Sequence, residues 1–133
     1  MNIKYVETKQ DITAKDVSRV FEASGIKRPY QDLERMERMI QNADVLITAW
    51  HENKMVGLAR AITDFSYCCY LSDLAVDKEY QRYGIGRELV KRVKDQIGEE
   101  SSLILLSSPI AMEYYPKLGF SKADNAYIIK RAK

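Results

Sequence analysis

The chain has 133 residues, 46% hydrophobic and 30% charged. That is the size of one domain, residues 1–133, able to bury a core without metal or disulfide staples, and it is too apolar for a disordered chain. Lys and Arg total 21 against 19 Asp and Glu, a net charge of +2, which is too balanced to point to nucleic acid as partner. No apolar run approaches the roughly 18–20 residues of a membrane span, and the start, Met1 to Glu7, lacks the apolar stretch of a secretory signal. The expectation is a cytoplasmic protein with no membrane partner.

Ile3 to Val6 reads as a short first strand. Thr13 followed by Asp16 resembles a capping box with Asp in place of Glu. Val17, Val20 and Phe21 then share one helical face, and Gly25 ends the helix. After a turn at Lys27-Arg28-Pro29, Leu33, Met36, Met39 and Ile40 form a second stripe, with Asp32 as cap. From Asp44 the period changes. Val45–His51, Met55–Ile62 and Tyr67–Val76 are three strands joined by polar turns, an antiparallel meander. Alternation along the third places Leu71 and Asp73 on one face, with Ser72 and Leu74 on the other.

Ile85, Leu89, Val90, Val93 and Ile97 recur at helical spacing up to Gly98. Leu103–Leu106 reads as a short strand buried on both faces. Ile110–Leu118 reads as a helix that Pro116 distorts at its end and Gly119 closes, and Ala126–Lys130 as a last strand. The fold class expected is α+β, with a mixed, mostly antiparallel central sheet and helices on both faces. The only cysteines, Cys68 and Cys69, are adjacent. Their Cα atoms lie about 3.8 Å apart, too close for ordinary disulfide geometry. With His51 the sole histidine, no metal site is expected.

The segment with chemistry in it is Gln81-Arg82-Tyr83-Gly84-Ile85-Gly86-Arg87, between a strand and a helix. Backbone N–H groups at a helix N-terminus are unpaired, and the helix dipole favours an anion there. Gly84 and Gly86 clear side chains from those N–H groups, and Arg82 and Arg87 add charge. A P-loop is excluded because Arg87-Glu88 follows Gly86 where Lys-Ser/Thr is required. A dinucleotide fingerprint is excluded because its third glycine and opening βαβ unit are missing. The glycines also fit a plain strand-to-helix turn.

Upstream of the loop stands Tyr70-Leu71-Ser72-Asp73-Leu74-Ala75-Val76-Asp77-Lys78-Glu79-Tyr80, and downstream Ala111-Met112-Glu113-Tyr114-Tyr115-Pro116-Lys117-Leu118-Gly119-Phe120. In order and spacing these resemble the GNAT superfamily of acetyl-CoA-dependent N-acetyltransferases. Gly57 to Asp64, with Arg28-Pro29 and Asp73, resembles its bacterial and plastid branch, which includes plant serotonin and arylalkylamine acetyltransferases.

The resemblance implies a GNAT fold and acetyl-CoA as cofactor. It implies that the CoA pyrophosphate sits on the backbone of Gln81, Arg82, Tyr83, Gly84, Ile85, Gly86 and Arg87, and that the pantetheine arm pairs with Leu74 and Val76 where a bulge splays their strand. Val76 N–H would face the thioester carbonyl as an oxyanion donor. Tyr115 matches the family tyrosine near the sulfur. A phenol of pKa about 10 can protonate a thiolate of pKa about 8.5, although Tyr115 also suits a core aromatic. Tyr114 reads as packing and Glu113 as a solvated helix residue. Asp73 is the implied base or ammonium ligand, or else a structural carboxylate. Ser108 stands where relatives carry Asn or Asp near the cofactor. Arg60 and Asp64 line the acceptor side, or pair across the sheet.

The expected activity is acetyl transfer to a small-molecule primary amine by direct attack in a ternary complex, in a monomer or homodimer. The same residues also suit an acyl-CoA sensor without catalysis, or a protein-lysine acetyltransferase.

Overall fold

The computed structural model describes residues 1–133. β1 (Lys4–Val6) leads into α1 (Ala14–Ser24), which begins as the sequence predicts. The Thr13 hydroxyl accepts the Asp16 N–H at 3.1 Å, satisfying one donor of the first turn. Gly25 ends the helix in the left-handed region, φ 81°. In α2 (Leu33–Gln41) the Asp32 carboxylate accepts the Arg35 N–H at 3.1 Å. The inward faces of the two helices, Val17, Val20, Phe21, Met36 and Ile40, are buried against Leu46, Met55, Leu58 and Ala75 of the sheet. Each large side chain fully buried there contributes about 1.5–3 kcal/mol.

The sheet runs in the spatial order β1-β2-β3-β4-β5, with β2 at Val45–His51, β3 at Lys54–Thr63, β4 at Cys68–Val76 and β5 at Ser102–Ile104. All neighbours are antiparallel except β4 and β5. α3 (Ile85–Ile97) covers the opposite face, where Ile85, Leu89, Val90, Val93 and Ile97 meet Val45, Ile47, Ala59 and Leu71. The expected mixed α+β sheet with helices on both faces is the observed one.

A single irregularity in β4 decides which face its later side chains take. Arg60 pairs with Asp73 but Ala61 pairs with Leu71, so Ser72 is an extra residue, a β-bulge. It reverses the alternation. Leu71, before the bulge, belongs to the α3-side core, and so do Leu74 and Val76 after it, while Ala75 belongs to the α1/α2 side. Asp73 therefore lies on the α1/α2 face and not, as simple alternation gives, on the face of Leu71. The bulge also falls two residues before Leu74, where the pantetheine arm was placed.

The C-terminal third differs from expectation. The strand at 103–106 is not buried on both faces: it is the edge strand, and Ile104 and Leu106 are half exposed. The helix expected over Ile110–Leu118 is instead two 3-10 turns, Pro109–Ala111 and Tyr115–Leu118. A proline stands in the first turn of each, and the missing N–H and ring clash of Pro116 break a continuous helix there. Ala126–Lys130 forms no strand. It has no neighbour to pair with, and Tyr127 and Ile129 are both 99% exposed.

Candidate functional site

β5 pairs with β4 only at Cys68, Cys69 and Tyr70. Beyond Tyr70 the two strands part, and β4 presents a free edge as far as Val76. Asp77 N–H donates to the Val56 carbonyl of β3 at 2.8 Å. Backbone groups alternate along a paired strand, so those of Leu74 and Val76 point to the open side. Gln81 Nε2 reaches back to the Val76 carbonyl at 3.2 Å. Cys68 is exposed and Cys69 buried, both as free thiols.

At the end of this edge begins α3. Arg82 and Gly84 both adopt positive φ, 77° and 75°, which turns the chain tightly into the helix. Gly84 is the cap residue and no side chain covers the helix end. The first intrahelical bond is Glu88 N–H to Gly84 C=O at 3.0 Å, so the preceding N–H groups are left for an outside acceptor. Nothing lies within 4 Å of where a Gly84 side chain would start, whereas a Cβ on Gly86 would collide with the Tyr114 hydroxyl. Tyr114 packs there, its phenol set against Gly86 in the first turn of α3. Tyr83 is exposed, Ile85 is buried as the anchor of α3, and Arg87 Nη2 donates to the Lys117 carbonyl at 3.2 Å. A bare helix N-terminus beside an unpaired strand edge fits a pyrophosphate joined to an extended amide arm, the chemistry of CoA.

Tyr115 starts the second 3-10 turn, its ring edge-on to Phe120 at 5.6 Å and to Tyr114 at 5.4 Å. Burial pushes its phenol above the usual tyrosine range, Tyr114 pushes it further, and the Arg28 charge draws it partly back. The hydroxyl is therefore held as a proton donor at neutral pH. Burial raises Tyr114 as well, against the pull of Arg87.

Asp73 is one of three buried polar residues. One carboxylate oxygen accepts from Arg28 Nε and the other from Arg60 Nε, each at 2.5 Å. Arg28 also donates to the Ser72 carbonyl at 2.7 Å, and Arg60 to the Ser72 hydroxyl at 3.0 Å. With a guanidinium on each oxygen, Asp73 is poorly placed to take a proton from an amine. It anchors the α1–α2 loop to the bulge. Arg60 joins it, as a cross-sheet pair. Asp64 does not: its carboxylate accepts the N–H groups of Ser66, Tyr67 and Cys68 in the β3–β4 turn. Those bonds hold its pKa low. The turn is at the far end of β4 from Val76, about 25 Å away along the strand. Ser108 is exposed and leads into the first 3-10 turn. Arg28 enters the sequence reading as part of a turn and of the branch resemblance, with no role at the site. Its partner is 45 residues away, and no local pattern marks such a pair.

Residues 8–130 match the acetyltransferase (GNAT) domain family. The chain belongs to that family, whose members use acetyl-CoA, and is an acetyl-CoA-dependent N-acetyltransferase. It is 25% identical over 125 residues to the uncharacterized N-acetyltransferase ycf52 of Pyropia yezoensis, covering 89% of this chain and 70% of that one. A GNAT-family acetyltransferase of Streptococcus pneumoniae shares the fold with a TM-score of 0.79 and 23% identity, covering 98% of this chain and 99% of that one. The aminoglycoside N-acetyltransferase AAC(6')-Iy, solved in complex with CoA, superposes with a TM-score of 0.74 at 14% identity, over 99% and 96% of the two chains. No helix is long and apolar enough to cross a membrane.

Proposed function

We propose that this GNAT enzyme acetylates a small primary amine by direct attack, with the amine and the acetyl donor bound together. The observation that carries the reading is one arrangement. The open edge of β4 runs from the bare N-terminus of α3 to the Arg28–Asp73 contact, and the protonated Tyr115 lies within electrostatic reach of Arg28.

Acetyl-CoA, when bound, supplies the acetyl thioester. Backbone N–H groups from Arg82 to Arg87 hold the diphosphate, and Arg82 and Arg87 add positive charge. Leu74 and Val76 offer their open-side backbone groups to the extended arm as a strand partner would. The Val76 N–H donates to the carbonyl oxygen on which negative charge develops. The Tyr115 hydroxyl gives its proton to the departing sulfur, the newly bonded nitrogen sheds its second proton to water, and Tyr115 regains one from that water. The acceptor ammonium loses its proton to water, since Asp73 is committed to two arginines. The resemblance to the branch that includes plant serotonin and arylalkylamine acetyltransferases, carried by Gly57 to Asp64, Arg28-Pro29 and Asp73, is compatible with a small amine and does not by itself fix the acceptor, since that branch also acts on lysine side chains and polyamines.

The test is calorimetric titration with acetyl-CoA, adenosine diphosphate and NAD in parallel, followed by a thiol-release screen over amines. Binding of acetyl-CoA in clear preference to NAD, with turnover on small amines, is expected. Binding without turnover on any amine makes the protein an acyl-CoA sensor. No binding removes the loop assignment.

A further inference from the structure

Arg28 and Arg60 are two cations sharing one carboxylate, that of Asp73. Two positive charges against one negative leave one over. The excess sits where water is scarce, with the side chains of Arg28 and Arg60 only 27% and 13% exposed and that of Asp73 fully buried. The remaining bonds of the two guanidiniums go to neutral oxygens: the carbonyls of Lys27 and Ser72, and the Ser72 hydroxyl. Such bonds orient a guanidinium without cancelling its charge, and an uncompensated charge in a half-dry site favours an incoming anion.

The same Arg28 lines a groove of about 460 Å³ between the α1–α2 loop and the C-terminal segment. Every charged side chain in its lining is cationic: Lys27, Arg28, Arg35, Arg131 and Lys133. Arg35 reaches across it, its Nη2 donating to the Lys133 carbonyl at 3.2 Å. The nearby Asp32 carboxylate is engaged as the α2 cap. The groove is large enough for a small metabolite. The donor's phosphates do not need it, because the loop proposed for them opens α3, and α3 packs on the other face of the sheet.

From this we infer that the acceptor carries a carboxylate or phosphate besides its amine, and that this anionic group seats in the groove against Arg28 and its cationic neighbours. The inference rests on the small-amine reading and narrows it. It disfavours polycationic acceptors, since they meet like charge at the entrance.

The experiment compares matched amines at saturating acetyl-CoA by initial rates of thiol release: cadaverine with lysine, phenethylamine with phenylalanine, ethanolamine with phosphoethanolamine, and an aminoglycoside as polycation. In parallel, calorimetry measures binding of each amine to the protein with CoA present. The anionic member of at least one pair is expected to show at least tenfold higher kcat/KM and tighter binding, with the advantage shrinking as salt is raised. Which pair responds separates carboxylate from phosphate. The double charge reversal Lys27→Glu/Arg35→Glu is expected to reduce the advantage at least tenfold, while Lys15→Glu on the exposed side of α1 leaves it unchanged. Turnover that favours neutral or polycationic amines, or an anion advantage untouched by the double reversal, overturns the inference and leaves the small-amine reading standing. If no amine is turned over, that reading fails, and calorimetry alone decides the groove: anion binding lost on reversal supports it, and absence of anion binding overturns it.

Discussion

At the scale of single residues the proposed chemistry gives two adjacent tyrosines different duties. Tyr115, its phenol raised by burial, is the proposed proton donor. Tyr115→Phe keeps the ring contacts with Tyr114 and Phe120 and removes only the hydroxyl. A general acid contributes at least about 10²-fold, so kcat should fall about a hundredfold with acetyl-CoA affinity nearly unchanged. Steady-state kinetics beside calorimetry checks this, and an unchanged kcat takes Tyr115 out of the mechanism. Tyr114 instead packs against Gly86. Gly86→Ala introduces a Cβ that collides with its hydroxyl, so acetyl-CoA should bind about tenfold more weakly, a loss of about 1.4 kcal/mol. Adding Tyr114→Ala should recover much of that loss by removing the obstacle. Failure of the second change to restore binding would mean that Gly86 matters for another reason.

At the scale of elements the decisive unit is β4 with its two arginine clamps. Asp73→Asn leaves two guanidiniums facing a neutral group. Breaking a buried pair this way costs about 3–5 kcal/mol, to be read as a lower urea midpoint. Because Asp73 ties the α1–α2 loop to the bulge, the acceptor KM should rise more than the acetyl-CoA Kd. A mutant in which kcat alone collapses would return Asp73 to the role of base. The elements themselves were largely readable beforehand. Thr13 and Asp32 at the helix starts, Gly25 and Gly98 at the ends and the period-2 runs of β2 to β4 are local signals, and the chain obeys them. The face of Asp73 was not readable. A bulge is a property of two paired strands, and nothing in Leu71-Ser72-Asp73 alone announces that Ser72 faces no partner residue.

At the scale of the whole molecule two apolar clusters hold the sheet between α1/α2 and α3, and the site occupies the place where strand pairing ends. The sequence placed the loop, the splayed strand and the tyrosines in one neighbourhood because they follow one another along the chain. It could not place Asp64 or the clamp, because those depend on which distant segments meet. Nor did it foresee the unpaired C-terminal segment: Ala126 to Lys130 has strand-forming residues, but a strand exists only with a partner. The buried tyrosines carry a prediction for the whole fold. Tyr5, Tyr114 and Tyr115 all have phenols raised by burial. In the unfolded chain they ionise near pH 10, so above that pH the unfolded state binds fewer protons than the native one. Stability is then fully present below pH 10 and falls as pH rises through the native values. Urea midpoints measured from neutral to strongly alkaline pH should decline only on the alkaline side, with a smaller decline in Tyr115→Phe.

The bulge makes the gene for this protein unequally tolerant of two kinds of error at one codon. A missense change of Ser72 to alanine forfeits a hydroxyl that accepts from Arg60, and should cost about 1 kcal/mol. An in-frame loss of the same codon erases the bulge itself: Leu71 stays opposite Ala61 and Asp73 opposite Arg60, so every later side chain keeps its face and register. What goes is the local bend of β4 and the Ser72 carbonyl that accepts from Arg28. Expression of the two alleles side by side should give a soluble protein from each, with acetyl-CoA affinity by calorimetry near normal in the first and lost in the second. In this fold, how many residues stand between Leu71 and Asp73 matters more to the open strand edge than which residue it is.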